Sequence, residues 1–379
     1  MSPPEPGPLS IARVEAVVCR APIDEPIVTS FGTIPERAGL FVRLEDADGV
    51  AGWGEVFGNF PAHGAENRCH LVRDYLAPIV TDEAWVSPAA AYEAMTRRTH
   101  VMALQGGEPG PFAQAIAGLD NAIWDLAARR AGVPLWRLLG GERDAVPTYA
   151  SGLNPSNFEG IVEAKLAEGY RAFKIKIGFG RETDTGNLAR MREIVGDLRV
   201  MTDVNQGWDM ATAVQEMPHL AEFDLGWIEE PLPADRPLAE WREIKAASPA
   251  PLAAGENLRG DADFDAMIEA KVLDVVQPDM CKWGGVTGCL PLAKRIVAAG
   301  LTYCPHFLAG IVGLMSSAHL LAAAGGHGLL EVDANPNPLR EVLAGGLPPI
   351  EDGIMTLPAG PGIGVEPDAD LLKDFRVEL

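Results

Sequence analysis

The chain has 379 residues and a formal net charge of −22, from 53 acidic and 31 basic side chains. This charge, without any Lys- or Arg-rich run, argues against nucleic-acid binding, and no stretch of about 18 apolar residues predicts a membrane span. Five scattered cysteines without a CxxC pair, and an N-terminus without a signal-peptide pattern, favour a reduced, cytoplasmic protein with neither a disulfide framework nor a zinc knuckle.

The first 144 residues predict an α+β domain. Three β-type segments, IARVEAVVCRAPI, GLFVRLEDADG and GVAGWGEVF, are divided by Asp-Gly turn chemistry. Helical spacing follows at Asn67 to Val80, Ala89 to His100 and Phe112 to Arg130. We therefore expect residues 1–144 to fold as a separate domain at the start of the chain.

From Val146 onward, short β-type runs alternate with amphipathic segments, which favours parallel βα units. The strand candidates are VPTYAS, AFKIKIG, LRVMTDVN, GWIEEP, PLAAGEN, LDVVQPD, LTYCPH and GLLEVD. Eight such units are what a closed (β/α)8 TIM barrel requires, so we assign the barrel to residues 145–344 and a returning tail to residues 345–379. An open doubly wound sheet is the alternative, but no glycine-rich phosphate fingerprint follows the first strand.

Three carboxylates close successive strand candidates at nearly equal intervals. Asp203, Glu229 and Glu256 are 26 and 27 residues apart, about one βα unit each. A barrel would bring them to one rim, and an oxygen ligand set without nearby Cys or His favours Mg²⁺. Any one of them alone would also suit as a helix N-cap. Glu230 should point away by strand alternation and is kept as the alternative ligand.

Two lysines and an Asp–His pair end other strand candidates. Lys174 and Lys176 alternate to the same face of AFKIKIG, and snorkelling on an edge strand is their structural alternative. Asp279 and His306 end neighbouring strands, where the carboxylate can fix the tautomer of a proton-transferring imidazole. The other six histidines are interpreted as structural, His63 with least certainty because FGNFPAHG reads as a pocket loop. Glu331 lies at the end of the eighth strand candidate. It could donate a hydrogen bond to a developing oxyanion if it is protonated, or it could have only a structural role.

The chain resembles the enolase superfamily, in particular its mandelate racemase subgroup. The stretch AIAGLDNAIWDLAARRAGVPLWRLLGG is similar to the family's junction between capping domain and barrel. The motifs KIK, DVNQ, IEEP, GEN, PDMCKWGGVTG and PHF then follow in the family's order and at close to its spacing. The resemblance covers nearly the whole chain and implies a modified, enolase-like barrel with an N-terminal capping domain completed by the C-terminal tail.

The resemblance also implies roles for individual residues. Asp203, Glu229 and Glu256 match the Mg²⁺ ligands. Lys176 matches the base on one face of the substrate, and His306 with Asp279 matches the acid/base dyad on the opposite face. The remaining matches are Lys174 near the substrate carboxylate, Glu331 at the enolised carboxylate and Asn205 as a polar substrate contact. The implied pocket loops are Ile27 to Arg37 and Phe57 to Gly64, with Arg37 and His63 as candidate contacts to the distal end of a substrate.

The implied reaction is removal of a proton α to a carboxylate, with two outcomes. If His306 protonates a β-hydroxyl, water leaves and a sugar acid becomes a 2-keto-3-deoxy acid, which is the outcome we favour. If His306 returns a proton to the same carbon, the enzyme is a racemase or epimerase. Lys282 lies where a sister subgroup carries its second lysine base, so its part in proton transfer stays open.

Two readings from other classes compete with this one. A non-catalytic protein that binds a small acid would lack at least one of the strand-end groups, and none is missing. A Schiff-base aldolase barrel would use one lysine but leaves the three spaced acids unexplained. The expected partners are a small carboxylate substrate and, from the resemblance, further copies of the chain in a homo-oligomer of two to eight subunits, with neither nucleic acid nor membrane.

Overall fold

The computed structural model describes residues 7–29 and 32–379. The first six residues of the proline-rich N-terminus and two positions of the predicted pocket loop Ile27 to Arg37, numbers 30 and 31, lie outside the described residues.

The chain opens with an antiparallel sheet of strands β1 (Ile11–Thr29), β2 (Gly32–Asp46) and β3 (Ala51–Val56), in that order. Asp46 Oδ1 accepts the backbone N–H groups of Asp48 and Val50, and Gly49 has φ +83°, so the predicted Asp-Gly turn joins β2 to β3. The described part of the predicted pocket loop 27–37 is extended β-structure rather than a loop, although Ile27, Ile34 and Arg37 line a cavity together with Lys176 and His306. Ile27 pairs with Ile34, because the two strands continue their ladder beyond the sheet's core.

Helices follow the sheet in the order of the sequence. They are α1 (Gly64–His70), a π-helical turn (Leu71–Leu76), α2 (Ala77–Thr81), α3 (Pro88–Gly106), α4 (Pro109–Arg130) and α5 (Leu135–Leu138). The longest, α4, packs along β3 with its apolar face buried. Within the described part of the chain, no helix has the length and apolar character needed to cross a membrane.

Between Ala145 and Asp333, where every residue is described, eight parallel strands alternate with helices. The elements are β4 (Ala145–Leu153), α6 (Phe158–Ala167), β5 (Ala172–Lys176), α7 (Arg181–Val195), β6 (Arg199–Asp203), α8 (Met210–Glu216) with a 3-10 turn (Met217–Phe223), β7 (Ile228–Glu229), α9 (Leu238–Ala247), β8 (Leu252–Ala254), α10 (Gly260–Ala270), β9 (Val275–Val276), α11 (Gly285–Ala298), β10 (Thr302–Tyr303), α12 (Ile311–Ala324) and β11 (Leu330–Asp333). Strand β4 pairs with both β5 and β11, and Leu329 N–H donates to Cys304 Sγ across the remaining gap, which confirms the predicted barrel.

One residue from each barrel segment forms a buried layer inside the ring. The layer consists of Tyr149, Ala172, Met201, Trp227, Ala253, Val275, Cys304 and Leu329. Large side chains from some strands and small ones from others together fill the barrel interior. This apolar layer is the floor on which the next inward-facing residues lie.

The tail contacts both parts of the molecule. After α13 (Pro338–Glu341), the tail at 345–379 contains β12 (Ile350–Glu351), β13 (Ile354–Thr356) and α14 (Ala369–Phe375). Strand β13 pairs antiparallel with the start of β4, while Val377 N–H donates to Val18 O of β1. The domain boundaries at 144 and 344 remain a prediction.

Buried carboxylates of the N-terminal part cap two barrel helices. Glu55 of β3 accepts the N–H groups of Gly310 (2.7 Å) and Gly313 (2.9 Å) at the start of α12. Asp120 of α4 accepts the N–H (2.8 Å) and Oγ1–H (2.7 Å) of Thr287 at the start of α11. The residues preceding both helices are glycines without a capping side chain, so these acids satisfy N–H groups that would otherwise be orphaned. Burial raises the pKa of each acid to about 7.

His319 of α12 joins the barrel to the segment after α4 and to the tail. The fully buried ring accepts Trp136 N–H at Nδ1 (3.1 Å) and donates from Nε2 to Ile363 O (3.2 Å). Both bonds use the neutral ring, and burial lowers the pKa of His319 from 6.5 to about 4. Protonation is thus disfavoured in the folded state.

Because of His319, we expect the folded state to lose stability at acidic pH. Above pH 6.5 the neutral ring contributes its full stabilisation, and between pH 6.5 and 4 the unfolded state binds a proton that the folded state does not. We expect the free energy of unfolding of the wild type, relative to His319→Gln, to fall by about 3 kcal/mol across this window. Chemical denaturation at several pH values measures it. The exposed His327→Gln is the control, and a pH-independent difference for His319→Gln would contradict the assignment.

Candidate active site

The polar site is the next layer of the barrel interior, two residues beyond each member of the apolar layer. Because side chains alternate along a strand, this spacing returns to the inward face. The layer consists of Ser151, Lys174, Asp203, Glu229, Gly255, Gln277, His306 and Glu331. Five of the predicted site residues therefore share one level of the barrel.

Lys174 is the centre of this layer. Its Nζ lies 2.6 Å from both oxygens of Glu229 and 2.7 Å from Glu331 Oε1, and it stands 5.5 Å from the centre of the Tyr149 ring. Burial alone would lower the pKa of Lys174, but Glu229 and Glu331 hold it well above its ordinary value. Lys174 is thus a fixed cation.

Lys176 lies one step higher on β5 and lines the cavity above the layer. Its Nζ is 2.5 Å from Asp203 Oδ2. Asp203 also accepts the Asn205 N–H at Oδ1 (2.7 Å) and the Asn205 Nδ2–H at Oδ2 (3.1 Å). The predicted base, metal ligand and substrate contact are therefore neighbours on β5 and β6.

The expectation that Glu230 points away from the site is wrong. A left-handed backbone conformation at Glu230 (φ +41°) breaks the alternation, and the side chain is buried. Asn257 Nδ2 donates to both of its oxygens, at 3.0 and 3.1 Å. Burial and the carboxylates of Glu256 and Asp203 raise the pKa of Glu230 well above its usual range.

Glu256 connects two cationic groups on the other side of the cavity. Its Oε2 lies 2.9 Å from Lys282 Nζ and 3.0 Å from His306 Nε2. Burial would raise the pKa of Glu256, but His306 and Lys282 hold it well below its usual range. Lys282 Nζ also stands 4.7 Å from the centre of the Phe57 ring, so the pocket loop 57–64 contacts it directly.

The Asp279–His306 pair has the predicted geometry. His306 Nδ1 is 2.8 Å from Asp279 Oδ2, and the backbone N–H groups of Cys281 and Lys282 hold Asp279 Oδ1 at 2.7 and 3.2 Å. Burial opposes protonation of His306, but Glu256 and Glu331 raise its pKa well above 6.5. Asp279 orients the ring, and Nε2 faces the carboxylates.

Donors face both oxygens of Glu331, which favours its ionised form over the alternative of a protonated donor. Glu331 accepts Ser151 Oγ–H (2.5 Å) at Oε1 and Phe307 N–H (3.1 Å) at Oε2. Burial would raise the pKa of Glu331, but Lys174 and His306 lower it below 4.5. Ser151 is a partner that the sequence reasoning missed, although its place two residues beyond Tyr149 follows from alternation.

A cavity of about 590 Å³ lies above the polar layer. Lys176, Asn205, Glu256, His306 and Arg37 line it, together with Lys282. Side-chain amides that the sequence reasoning did not single out line it as well: Asn59, Gln114, Asn154, Gln206, Asn257 and Asn335. The predicted contact His63 does not line the cavity.

His63 lies on the surface because the chain turns there into α1. Its side chain is 88 % exposed, and Nδ1 lies 4.0 Å from Glu66 Oε1. The predicted loop 57–64 reaches the cavity with Phe57, Phe60 and Pro61 instead. A direct substrate contact from His63 is therefore not supported by the geometry.

The predicted metal ligands Asp203, Glu229 and Glu256 come from adjacent barrel segments, and in this structure each forms an ion pair with a lysine. Among residues 7–29 and 32–379, no three His, Cys, Asp or Glu side chains are arranged as ligands around one point. Over the same residues, the contacting groups are six carboxylates and, with His306 protonated, four cations: Asp203, Glu229, Glu230, Glu256, Asp279 and Glu331 against Lys174, Lys176, Lys282 and His306. Carboxyl groups therefore outnumber cations around the cavity, and oxygen donors of this kind fit a hard divalent cation.

Comparison with known proteins identifies the family. Residues 13–140 match the mandelate racemase/muconate lactonizing enzyme N-terminal domain, and residues 159–371 match the enolase C-terminal domain-like model. A solved mandelate racemase/muconate lactonizing enzyme of Bordetella bronchiseptica RB50 is 50% identical, with a TM-score of 0.90 over 97% of this chain and 99% of that one. A racemase of Streptomyces coelicolor A3(2), solved with bound magnesium, is 28% identical with a TM-score of 0.87, over 97% and 100%.

Curated relatives include cycloisomerases, racemases and sugar-acid dehydratases. The D-galactarolactone cycloisomerase of Agrobacterium fabrum is 29% identical over 97% of this chain and 99% of its own length. The matches extend over both parts of the chain, and the relatives are lyases and isomerases. The chain is therefore an enzyme and belongs to the mandelate racemase/muconate lactonizing enzyme family of the enolase superfamily.

Proposed function

We propose that the enzyme uses Mg²⁺ to remove the proton α to a carboxylate and dehydrates a sugar acid to a 2-keto-3-deoxy acid. One observation carries the proposal. Lys176 and His306 line the same cavity from strands β5 and β10, which are three positions apart around the ring. A substrate between them would have a base on one face and an acid on the other.

Asp203, Glu229 and Glu256 would hold the metal, with Glu230 as a further oxygen donor nearby. The excess of carboxyl groups over cations in the site and the magnesium in the related racemase structure support this assignment. When bound, Mg²⁺ would supply electrostatic stabilisation for the negative charge that develops on the substrate carboxylate.

The protein's own groups would carry out the proton transfers. Lys176 Nζ takes the α-proton, and the fixed ammonium of Lys174 stabilises the enolised carboxylate from below. His306 Nε2 gives a proton to the β-hydroxyl, the β-carbon–oxygen bond breaks and water leaves. Asp279 keeps the imidazole in the required orientation. The resulting enol takes up a proton and becomes the 2-keto acid.

The lining of the cavity supports a hydroxyl-rich substrate. An amide both donates and accepts hydrogen bonds and so matches hydroxyl groups, and seven amides, counting Asn205, surround the cavity in the described part of the chain. The volume of about 590 Å³ lies in the usual range for small-molecule sites. Relatives that act on galactonate and galactarolactone, as their names state, support the same class.

Ring opening is a second candidate, supported by the cycloisomerases among the relatives. It uses the same α-proton and the same β-carbon–oxygen bond. The departing oxygen belongs to a ring, however, so it stays attached to the product and the mass is unchanged. Racemisation differs at the next step, where a proton returns to the α-carbon from the opposite face.

The first prediction concerns enolisation. In deuterated water with Mg²⁺, a panel of sugar acids, their lactones and 2-hydroxy acids should include a compound whose α-proton exchanges, seen by NMR. A mass loss of one water marks dehydration, an unchanged mass with a new keto group marks ring opening, and a changed configuration marks racemisation. If a broad panel gives neither exchange nor product, the proposed function loses its support.

The second prediction concerns the two proton-transfer groups. Lys176→Ala and His306→Asn should each lower turnover by at least about 10²-fold, the usual contribution of a positioned base or acid. The matched controls are Lys373→Ala and His327→Asn, which change exposed residues and should retain activity. A fully active His306→Asn enzyme would contradict the dyad and point to Lys282.

The third prediction concerns the metal. Chelation should remove activity and Mg²⁺ should restore it. Calorimetric titration of the metal-free protein should show Mg²⁺ binding that Asp203→Asn and Glu256→Gln each weaken by at least about tenfold, with a smaller Mg²⁺-induced rise in Tm. Asp235→Asn changes an exposed acid and is the control. Equal Mg²⁺ affinity in all variants would contradict the ligand assignment.

A further inference from the structure

We infer that the cavity has a second anion subsite, at Arg37, which binds a carboxylate at the far end of the substrate from the reacting carbon. The preferred substrate is then a dicarboxylic sugar acid or its monolactone rather than a monocarboxylate. The inference rests on the proposed function and adds the chemical class of the substrate's distal end. It goes beyond the general prediction that Arg37 contacts a substrate.

The first support is an excess of buried positive charge. Arg37 and Arg340 are 7 % and 2 % exposed, and both pair with the same oxygen, Asp333 Oδ2. The remaining acidic partner of Arg340 is Glu341, which is 45 % exposed and lies 3.0 Å from Nη2. Two buried guanidinium groups thus share one buried carboxylate in the described structure. A further anion would complete the charge balance.

The second support is hydrogen-bonding capacity of Arg37 that residues 7–29 and 32–379 leave unused. Arg37 donates from Nε to Pro336 O (3.2 Å) and pairs with Asp333 through Nη2, while its side chain lines the cavity. A guanidinium offers five N–H donors, so a planar edge remains for a carboxylate. Burial and the neighbouring Arg340 lower the pKa of Arg37 to about 9.

The third support is position. Asp333 lies on β11, two residues above Glu331 on the same face, and β11 is four positions from β7 around the ring. Glu256, which follows β8, lines the cavity, and Glu229 of β7 lies in the layer beneath it. A substrate held by its reacting carboxylate near these acids would extend its other end toward Arg37. Asn335 and Asn154 line the cavity on the same side and suit the hydroxyl groups between the two ends.

The test compares substrates that differ only at the distal carbon. Stereochemically matched pairs of aldarates and aldonates, including galactarate and galactonate, are assayed for α-proton exchange and product formation with wild type and Arg37→Gln. We expect wild type to prefer the dicarboxylate. Arg37→Gln should lower kcat/KM for the dicarboxylate by about 100-fold, the loss expected for a charge-assisted hydrogen bond, mainly through KM. For the monocarboxylate the change should be less than about threefold.

Arg43 provides a matched control on the same strand. It lies six residues further along β2, pairs with Glu45 at 2.7 Å and faces a separate surface groove. Arg43→Gln should leave the ratio of the two substrates unchanged. Arg37→Gln alone removes one of the two cations that neutralise the buried charge of Asp333, so the double variant Arg37→Gln/Asp333→Asn is included. Its Tm and circular dichroism spectrum check that it folds.

The outcomes separate the two proposals. If wild type exchanges the α-proton of no sugar acid, the proposed function fails. Suppose instead that wild type exchanges the α-protons of a monocarboxylate and its matched dicarboxylate with equal efficiency, or that Arg37→Gln lowers kcat/KM equally for both. The proposed function then stands and the distal subsite is wrong. Selective loss of the dicarboxylate, with the monocarboxylate retained, supports the subsite and excludes a purely structural role for Arg37.

Discussion

The site depends on the ion pairs that the buried ammonium of Lys174 makes with two carboxylates. This ammonium lies between the carboxylates of Glu229 and Glu331, and so joins β5 to strands on both sides of it in the ring. Removing any of these charges would leave its partners buried without compensation, at a cost of several kcal/mol. The apolar layer beneath excludes water from one side, which strengthens each of these interactions. The charged layer is therefore both costly to bury and difficult to rearrange, as a preorganised site must be.

The N-terminal part of the chain contributes to this site through the barrel helices. Asp120 caps α11, whose preceding segment carries Asp279 and Lys282, and Glu55 caps α12, whose preceding segment carries His306. The two acids thus fix the loops that bear the dyad, although neither touches the cavity. Capping from another part of the fold also explains why both helices can begin after glycines, which leaves the backbone free to turn at the strand ends.

The sequence was most informative where a period decides the structure. Eight strand candidates correspond to the eight barrel strands between Ala145 and Asp333, and alternation predicts that Lys174 and Lys176 share a face. It failed where backbone geometry is set by contacts from elsewhere. The left-handed conformation that turns Glu230 inward accompanies a hydrogen bond from Gln206 N–H to its carbonyl. The exposure of His63 likewise depends on where α1 begins, which local composition does not determine.

Because the whole molecule is strongly negative, binding of an anionic substrate depends on the cations that line the cavity. A net charge of −22 repels any anionic substrate, and a dicarboxylate more than a monocarboxylate. This repulsion is screened beyond about 8 Å at physiological ionic strength, so it slows approach more than it weakens the bound state. Inside the cavity, Arg37 and Lys282 are close to any ligand and largely shielded from solvent, where a charge is worth far more than at the surface. Selection among acids must therefore come from the few cations that line the cavity, and the uneven distribution of those cations gives the cavity two distinct ends.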